Sequence, residues 1–430
     1  MRQSHDDAQL HALDTRSGSL DTRWVTIDAP HVSSAWNGHP RGSAEYRRLL
    51  AALFCAGVAT FAQLYSPQAV LPLIAADLHI GAANAALMVS AATAGLAIGV
   101  IPWSVIADRI GRVRAMSLSV TAATVLGLLV PFAPNLGLLF AGRFMEGLLV
   151  GGVPAIAIAY LSEEIHRDHA ARAAGMFVAG TSVGGLLGRL VAGPIGEVTG
   201  WRIGVLSVAV LCGIGALGFV RLAPRSRGYD PSRSRSHPDG GLLHRLSANL
   251  RAPRQLALLA QAFLLMGGFV ALYNFLGFRL MGAPFHLPQS LVSLVFVAYL
   301  AGTWASSRTG AGAARFGRKR VLLVSIATMV VGVTITMSDN LFVVLAGLLI
   351  GTAGFFGAHS IASGWTAHQA TVGKAQASSL YNLFYYGGSS VLGWFGGVAF
   401  DAAGWTAVAI TIVALAGVAA VIAAVLLPRD

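Results

Sequence analysis

Charge is what this sequence has least of. Only 11% of its residues are Asp, Glu, Lys or Arg, against about 25% in a water-soluble globular chain. So few ionic side chains cannot coat a water-soluble particle of 430 residues. Cysteine is nearly absent as well. Cys55 and Cys212 both fall inside long apolar runs, with no metal-ligand or redox spacing, and read as small apolar space-fillers. There is no Walker-type Gly-rich lysine motif, no His/Cys cluster at ligand spacing and no pair of acids within an apolar run. A polytopic membrane enzyme would need such a constellation, so no catalytic residue, metal or cofactor is expected. A signalling receptor or adaptor would need a folded soluble domain, and residues 1–47 are too polar to form one. Rich in Ser, Asp, His, Gly and Arg, they read as a disordered tail. No cleavable signal peptide is expected, because that tail has no apolar core and the first apolar run is long enough to span.

What the chain has in quantity is apolar and small side chains: 55% hydrophobic residues, a mean hydropathy of +0.67 and 51 glycines. Glycine at this level suits membrane helices, whose backbones approach closely through small residues. Apolar stretches fall near 49–74, 84–107, 114–133, 136–161, 173–196, 201–222, 255–280, 289–312, 319–338, 341–364, 376–400 and 404–427. Each is long enough to cross a hydrocarbon core of about 30 Å at about 1.5 Å per residue. The one long polar connection, 223–254, holds Pro224, Pro231, Pro238 and Pro253 and a run of arginines and serines. The expected organisation is therefore a cytoplasmic tail over 1–47, a six-helix bundle over 48–222, a cytoplasmic linker over 223–254 and a second six-helix bundle over 255–430.

A formal charge of +12 would suit a nucleic-acid partner, but the cations lie in short loops between apolar runs rather than on one polar face. Arg109, Arg112, Arg114, Arg167, Arg172, Arg225, Arg227, Arg233, Arg235, Arg315, Arg318, Lys319, Arg320 and Lys374 occupy the even-numbered connections, while the odd-numbered ones hold little beyond Arg202 and Arg279. By the positive-inside rule both termini and the linker are cytoplasmic, and the implied location is a bacterial inner membrane. The partners expected are the bilayer, protons and a small-molecule substrate, with the chain a monomer.

The halves repeat each other. Ser104-Val-Ile-Ala-Asp108-Arg109-Ile-Gly111-Arg112 recurs as Gly310-Ala-Gly-Ala-Ala314-Arg315-Phe-Gly317-Arg318, and Gly200-Trp201 recurs as Gly404-Trp405. Internal repeats of this kind build transporters that alternate access to a site near the midplane. The first loop resembles the signature of the major facilitator superfamily, Gly-x-x-x-Asp-Arg-x-Gly-Arg-Arg. Ser104 replaces its leading glycine and Val113 its last basic position; the second copy has Ala314 at the aspartate. The resemblance covers essentially residues 49–427. It implies an all-α fold of twelve transmembrane helices in two pseudo-symmetric bundles, and a loop that holds the halves together on the cytoplasmic side in one state of the cycle. Asp108, Arg109, Gly111 and Arg112, with Gly310, Arg315, Gly317 and Arg318, are the corresponding gating residues, although the arginines also serve as topology signals.

Arg143-Phe-Met-Glu146-Gly147 is similar to an element of the drug:proton antiporter branch. An arginine within an apolar helix is costly unless it faces the protein and finds a partner, and Glu146 lies one turn on, within pairing distance. The alternative is that Arg143 snorkels to the outer surface. Gly184-Gly185-Leu-Leu-Gly188-Arg189, followed by Gly193-Pro194, takes the place of the antiporter glycine–proline motif with altered spacing. With Tyr160-Leu-Ser-Glu163-Glu164 and Tyr273-Asn274 it looks like the arabinose-efflux-permease-like branch. Arg189 can share Glu146, bind an anionic substrate group, or cap carbonyls near Pro194. Glu163 and Glu164 suit a gate or plain solvation.

Proton coupling needs a group that changes charge, and Glu146, with Arg143 and Arg189 beside it, is the leading candidate. His359 is the second, as imidazole titrates near neutrality, although a lone helical histidine is more often a packing residue. The substrate cavity is expected to draw on Gln63, Tyr65 and Gln68 from the first helix and on Tyr273, Asn274, Tyr299, Tyr381, Asn382 and Tyr385 from the second half. Aromatics with polar tips make weakly selective walls; the same tyrosines also serve as helix packing. The reading is proton-coupled efflux of a small hydrophobic or amphiphilic molecule, with uptake or exchange of an organic anion as the rival.

Overall fold

The computed structural model describes residues 36–228 and 241–428, and apart from one isolated bridge between His39 and Ile165 its regular structure is helical. Ten of these segments are long and apolar enough to cross a membrane: Ala44–Leu78, Ala82–Ile110, Arg112–Phe132, Leu136–Glu164, Asp168–Thr199, Trp201–Leu222, Pro253–Met281, Gln289–Phe316, Leu341–Gln369 and Lys374–Leu426. The last is two helices run together across non-helical Ala403 and Gly404. Arg318–Ile335 adds another, reaching its 18 residues only by including Arg318, Lys319 and Arg320. Twelve spans result among the described residues, numbered here in chain order from span 1 (Ala44–Leu78) to span 12 (the segment after Gly404).

Several boundaries move. Span 1 starts inside the expected tail, at Ala44, because Ser43 caps it by accepting the Tyr46 N–H at 3.1 Å. The expected linker is not wholly irregular: Leu242–Arg251 forms a helix, anchored by Asn249 donating to the Val372 carbonyl at 3.0 Å. The tail over 1–35 and linker residues 229–240, with Pro231, Arg233, Arg235 and Pro238, lie outside the described residues.

Turns at Gly111, Gly200 and Gly317 have φ of 91°, 91° and 85°, values that only glycine adopts without strain. They allow consecutive spans to reverse with almost no loop. In lipid no hydrophobic force draws one helix to another, so close packing must. Spans 2 and 4 cross through Gly95 and Gly147; a Cβ on Gly147 would run into the Ala92 carbonyl, and one on Gly95 into the Phe144 carbonyl.

Buried apolar side chains form two cores. One is built from spans 1–6 and includes Tyr386 from the second half; the other is built from spans 7–12 and includes Ala69, Ala82 and Ala86 from the first. Those exchanged residues mark where the halves touch. The described chain ends and the turns at Gly111 and Gly317 share one face of the bundle, the tail face, where Lys319 donates to the Leu427 carbonyl and Tyr160 to the Pro224 carbonyl. Described hydrogen bonds between the halves lie instead toward the opposite, far face: Gln68 to Asn274 at 2.7 Å, Ala82 and Ala83 to Asp401, Gln289 to the Ala69 carbonyl, Ser290 to Glu197 and Ser390 to the Ser90 carbonyl. Toward the tail face a cavity of about 730 Å³ lies among spans 8, 9 and 10, beside Gly310, Ala314, Ser360, Trp365 and His368.

Gly147→Ala is expected to destabilise the fold by about 1–3 kcal/mol through the clash with span 2. Gly417→Ala, which meets open space, should be neutral or gain up to about 1 kcal/mol in helix propensity. Melting in detergent, followed by the loss of the monodisperse peak on size exclusion, checks both.

Candidate transport site

Pro67 carries no N–H, so the α-helical partner of the Gln63 carbonyl is missing. Span 1 responds by tightening into a 3-10 turn over Ser66–Val70. The freed carbonyls lie in the apolar interior, where an unpaired backbone oxygen costs several kcal/mol. Arg143 of span 4 supplies the missing donors. Its Nη2 donates to the Leu64 carbonyl at 2.8 Å, its Nη1 to the Gln63 carbonyl at 3.5 Å, and its Nε to the Met88 carbonyl of span 2 at 2.8 Å. Nη1 also pairs with Glu146 Oε2 at 2.5 Å, and Gln63 Nε2 donates to Glu146 Oε1. Both charged side chains are 1% exposed, which rules out snorkelling for Arg143. Gly127 of span 3 leaves the room: a Cβ there would collide with the Gln63 amide and crowd Glu146.

Arg189 does not share Glu146. It projects from span 5 to a different level, where Nε and Nη2 both donate to Gln68 Oε1, at 2.8 and 2.5 Å, and Nη1 donates to the Gly185 carbonyl of its own helix. That carbonyl is one turn back, not one freed near Pro194. The guanidinium lies 4.5 Å from the Tyr65 ring, 4.8 Å from Phe296 and 4.9 Å from Tyr299, an arrangement of cation–π contacts. It is 2% exposed, and among the described residues no carboxylate lies within ion-pair distance of it. Gln68 continues the chain by donating to Asn274 Oδ1 across the interface, and the Asn274 amide nitrogen has no partner among the described residues. One line of polar groups thus runs from span 5 through span 1 to span 7, across the junction of the halves.

The second half supplies aromatic rings. His359 Nδ1 lies 3.0 Å from the Tyr381 hydroxyl, and its ring stacks on Phe355 and meets Tyr385 at 4.7 Å. Phe269 stacks on Phe355 at 3.8 Å. Tyr299 and Tyr385 are half-buried, and Tyr385 packs against the first-half core beside Tyr386. Tyr65, from the first half, is buried against Arg189.

Other expected cavity residues sit elsewhere. Tyr273 is buried, with its hydroxyl 2.7 Å from Thr352 and its ring packed on Phe269 and Phe296; it is core. Tyr381 is 2% exposed and backs His359 rather than lining the wall. Gln63 turns inward to Glu146, whereas Asn382 is exposed toward the tail face. Helical periodicity fixed which residues share a face but not which neighbour that face meets.

At the tail face Arg112 pairs with Asp108 at 2.6 Å and with Glu163 at 2.9 Å, so the first loop is tied to the end of span 4. Gly111 and Gly317 make the two equivalent turns. Arg315 lies over the Phe316 ring. Arg109 is exposed, as is Gly310, while Arg318 lines the tail-face cavity. Glu164 is not a solvated residue: it is wholly buried and accepts from the Ser226 hydroxyl and the Arg227 and Gly228 N–H groups, pinning the start of the connection to span 7. Its neighbour Glu163, reading identically in sequence, faces Arg112; only the helix phase separates their fates.

A family model described as Major Facilitator Superfamily matches residues 52–282 and again 258–430, once for each half. The inner membrane transport protein YnfM of Escherichia coli (strain K12) is 37% identical over 372 residues, covering 86% of this chain and 88% of that one. The uncharacterized MFS-type transporter YybF of Bacillus subtilis (strain 168) is 34% identical over 368 residues, 86% and 90% of the two chains. A bacterial homolog of the human lysosomal transporter Spinster, in an inward-facing and occupied conformation, shares the fold with a TM-score of 0.70 at 16% identity, over 89% of this chain and 96% of that one. Its helices, its two repeated halves and these relatives agree: the chain belongs to the Major Facilitator Superfamily and is a multi-pass membrane transporter.

Proposed function

We propose that the protein exports a small amphiphilic molecule across a bacterial inner membrane in exchange for protons, with the tail face cytoplasmic. The observation that carries this reading is Arg189, a buried guanidinium where the halves meet, set among aromatic rings from both halves and with no carboxylate within ion-pair distance among the described residues. Rings accept an apolar or aromatic body over a broad range of shapes. An uncompensated guanidinium favours an acceptor or anionic group on the same molecule. The orientation follows from the excess of Arg and Lys at the tail face, and the inner-membrane location from the same rule together with the name of the Escherichia coli relative.

In this reading Glu146 is the coupling group. A proton arriving there cancels its charge and loosens its pairing with Arg143, whose other bonds hold the break in span 1 at Gln63 and Leu64. Tyr65 and Gln68, on the same broken segment, contact Arg189. Span 1 over residues 63–68 thus links Glu146 to Arg189. His359, hydrogen-bonded to Tyr381 among rings, serves the substrate wall rather than the proton path. The rival, uptake of an organic anion, uses the same Arg189 and differs in direction.

Vesicles decide direction. With benzoate as an aromatic carboxylate probe and ethidium as a lipophilic cation probe, everted vesicles with an acidic lumen should accumulate one of them. Accumulation only in right-side-out vesicles with acid outside supports uptake instead. Glu146→Gln should lower gradient-driven accumulation about tenfold or more while leaving substrate–substrate exchange, since only the proton-dependent step is removed. Normal gradient dependence in that variant rejects Glu146 as the coupling group.

Arg189→Gln should raise KM for a carboxylate-bearing substrate by about 10- to 100-fold, the worth of a hydrogen bond to a charged group, with Arg189→Lys in between. Arg143→Ala leaves a buried carboxylate unpaired and should cost about 3–5 kcal/mol of stability. Adding Glu146→Gln to it should restore part of that loss in the same melting assay.

A further inference from the structure

The repeat around the two tryptophans is longer than Gly-Trp. Gly193-Pro-Ile-Gly-Glu197-Val-Thr-Gly200-Trp201 at the end of span 5 returns 204 positions on as Gly397-Val-Ala-Phe-Asp401-Ala-Ala-Gly404-Trp405 at the end of span 11. Four positions are kept in type: a glycine, an acid one turn later, and the Gly-Trp pair. The tryptophans act within their own halves, Trp201 donating to Asp77 and Trp405 to the Thr336 carbonyl. The glycine and the acid act between the halves.

Gly397 packs against the start of span 2 so closely that a Cβ would overlap the Ala83 backbone. One turn on, Asp401 reaches the N-terminus of span 2, its two oxygens accepting the N–H groups of Ala82 at 2.8 Å and Ala83 at 3.0 Å. Span 2 has no cap of its own, since its N-cap is Gly81, without a side chain to offer. A Cβ on Gly81 would stand 2.7 Å from Asp401 Oδ2, so the glycine also clears the space for the carboxylate.

The first copy does the same in the opposite sense. Gly193 packs against span 8, where a Cβ would overlap the Ser293 hydroxyl, and one turn on Glu197 Oε2 accepts the Ser290 N–H at 2.7 Å. Ser290 opens the 28-residue span 8, and its N-cap, Pro288, has no side-chain oxygen either. Each half therefore contributes one carboxylate and receives one at an uncapped helix start. A helix N-terminus carries unpaired N–H groups and the positive end of the dipole, both of which favour an anion.

We propose that Glu197 and Asp401 form a pair of reciprocal clasps that hold the far face shut and thereby set how often the transporter presents its site to that side. The contacts cross the interface, so they exist only while the far face is closed. On opening, the two carboxylates and the exposed N–H groups must find water instead. Neither residue touches Arg189 or Glu146, so the proposal is independent of substrate and of proton coupling.

The test is a distance measurement by pulsed electron spin resonance on full-length protein with Cys55 and Cys212 replaced by alanine. One label pair, at Val198 and Phe342, spans the far face between the halves; a control pair, at Val198 and Leu138, lies within the first half; all three positions are exposed. Asp401→Asn and Glu197→Gln should each raise the long-distance population across the interface about two- to fivefold, the worth of a charge at a helix start, and together their effects should multiply. Asp401→Glu should keep most of the closed population. Gly81→Ala, which retains both acids but displaces one, should behave as Asp401→Asn does. The control pair should stay unchanged. An interface distribution in the double variant identical to that of the parent overturns the proposal. Should the double variant disturb the control pair, Gly81→Ala decides: an unchanged interface distance there also overturns it.

Discussion

A single missing N–H organises the first half. Pro67 removes the donor that the Gln63 carbonyl would use in a regular helix, and the gap lies where no water can fill it. Arg143 fills it from another helix and is itself buried, so it needs a counter-charge, which Glu146 provides. Met88 of span 2 accepts the remaining bond. Spans 1, 2 and 4 are thereby tied at one point, and a change in the charge of Glu146 acts on the break in span 1. An ion pair this deep is poor evidence of added stability, since desolvation offsets its attraction. Its consequence is a fixed geometry at the break in span 1.

The halves share a fold but not a chemistry. The first keeps the pair Arg143–Glu146, Arg189 and the loop aspartate Asp108, while the second presents Phe269, Phe355, Tyr299, His359 and Tyr385 as stacked and edge-on rings. In the first half the buried charge is held by a polar network, and Gln68 and Asn274 join that network to the second half.

Close packing and polar pairing both join the halves toward the far face. Glycines at 193 and 397 let helices approach until backbone groups fall within reach of carboxylates and amides from the other half. Contacts of this kind exchange readily with water, which suits an interface that must open. At the tail face Arg112 ties Asp108 to Glu163 at the end of span 4.

The sequence by itself determined the membrane class, the twelve spans and the duplication, and it set Glu146 within pairing reach of Arg143, while the structure decided that the pair is buried. Hydrophobic length, loop charge and helical spacing are local properties, and an i,i+3 pair in an apolar helix has few alternatives. Much of the site was not legible. Arg189 finds Gln68 rather than Glu146 because the register between spans 5 and 1 decides its level, and register between helices leaves no local trace. Tyr273 and Tyr385 look alike in sequence, yet one is core and the other half-buried against the first half, because helix rotation within the bundle separates them. Glu197 and Asp401 were present as a repeat, but a carboxylate at a helix end has meaning only when another helix begins beside it. That juxtaposition belongs to the tertiary structure, since lipid imposes no preference among apolar faces and packing alone chooses the partner.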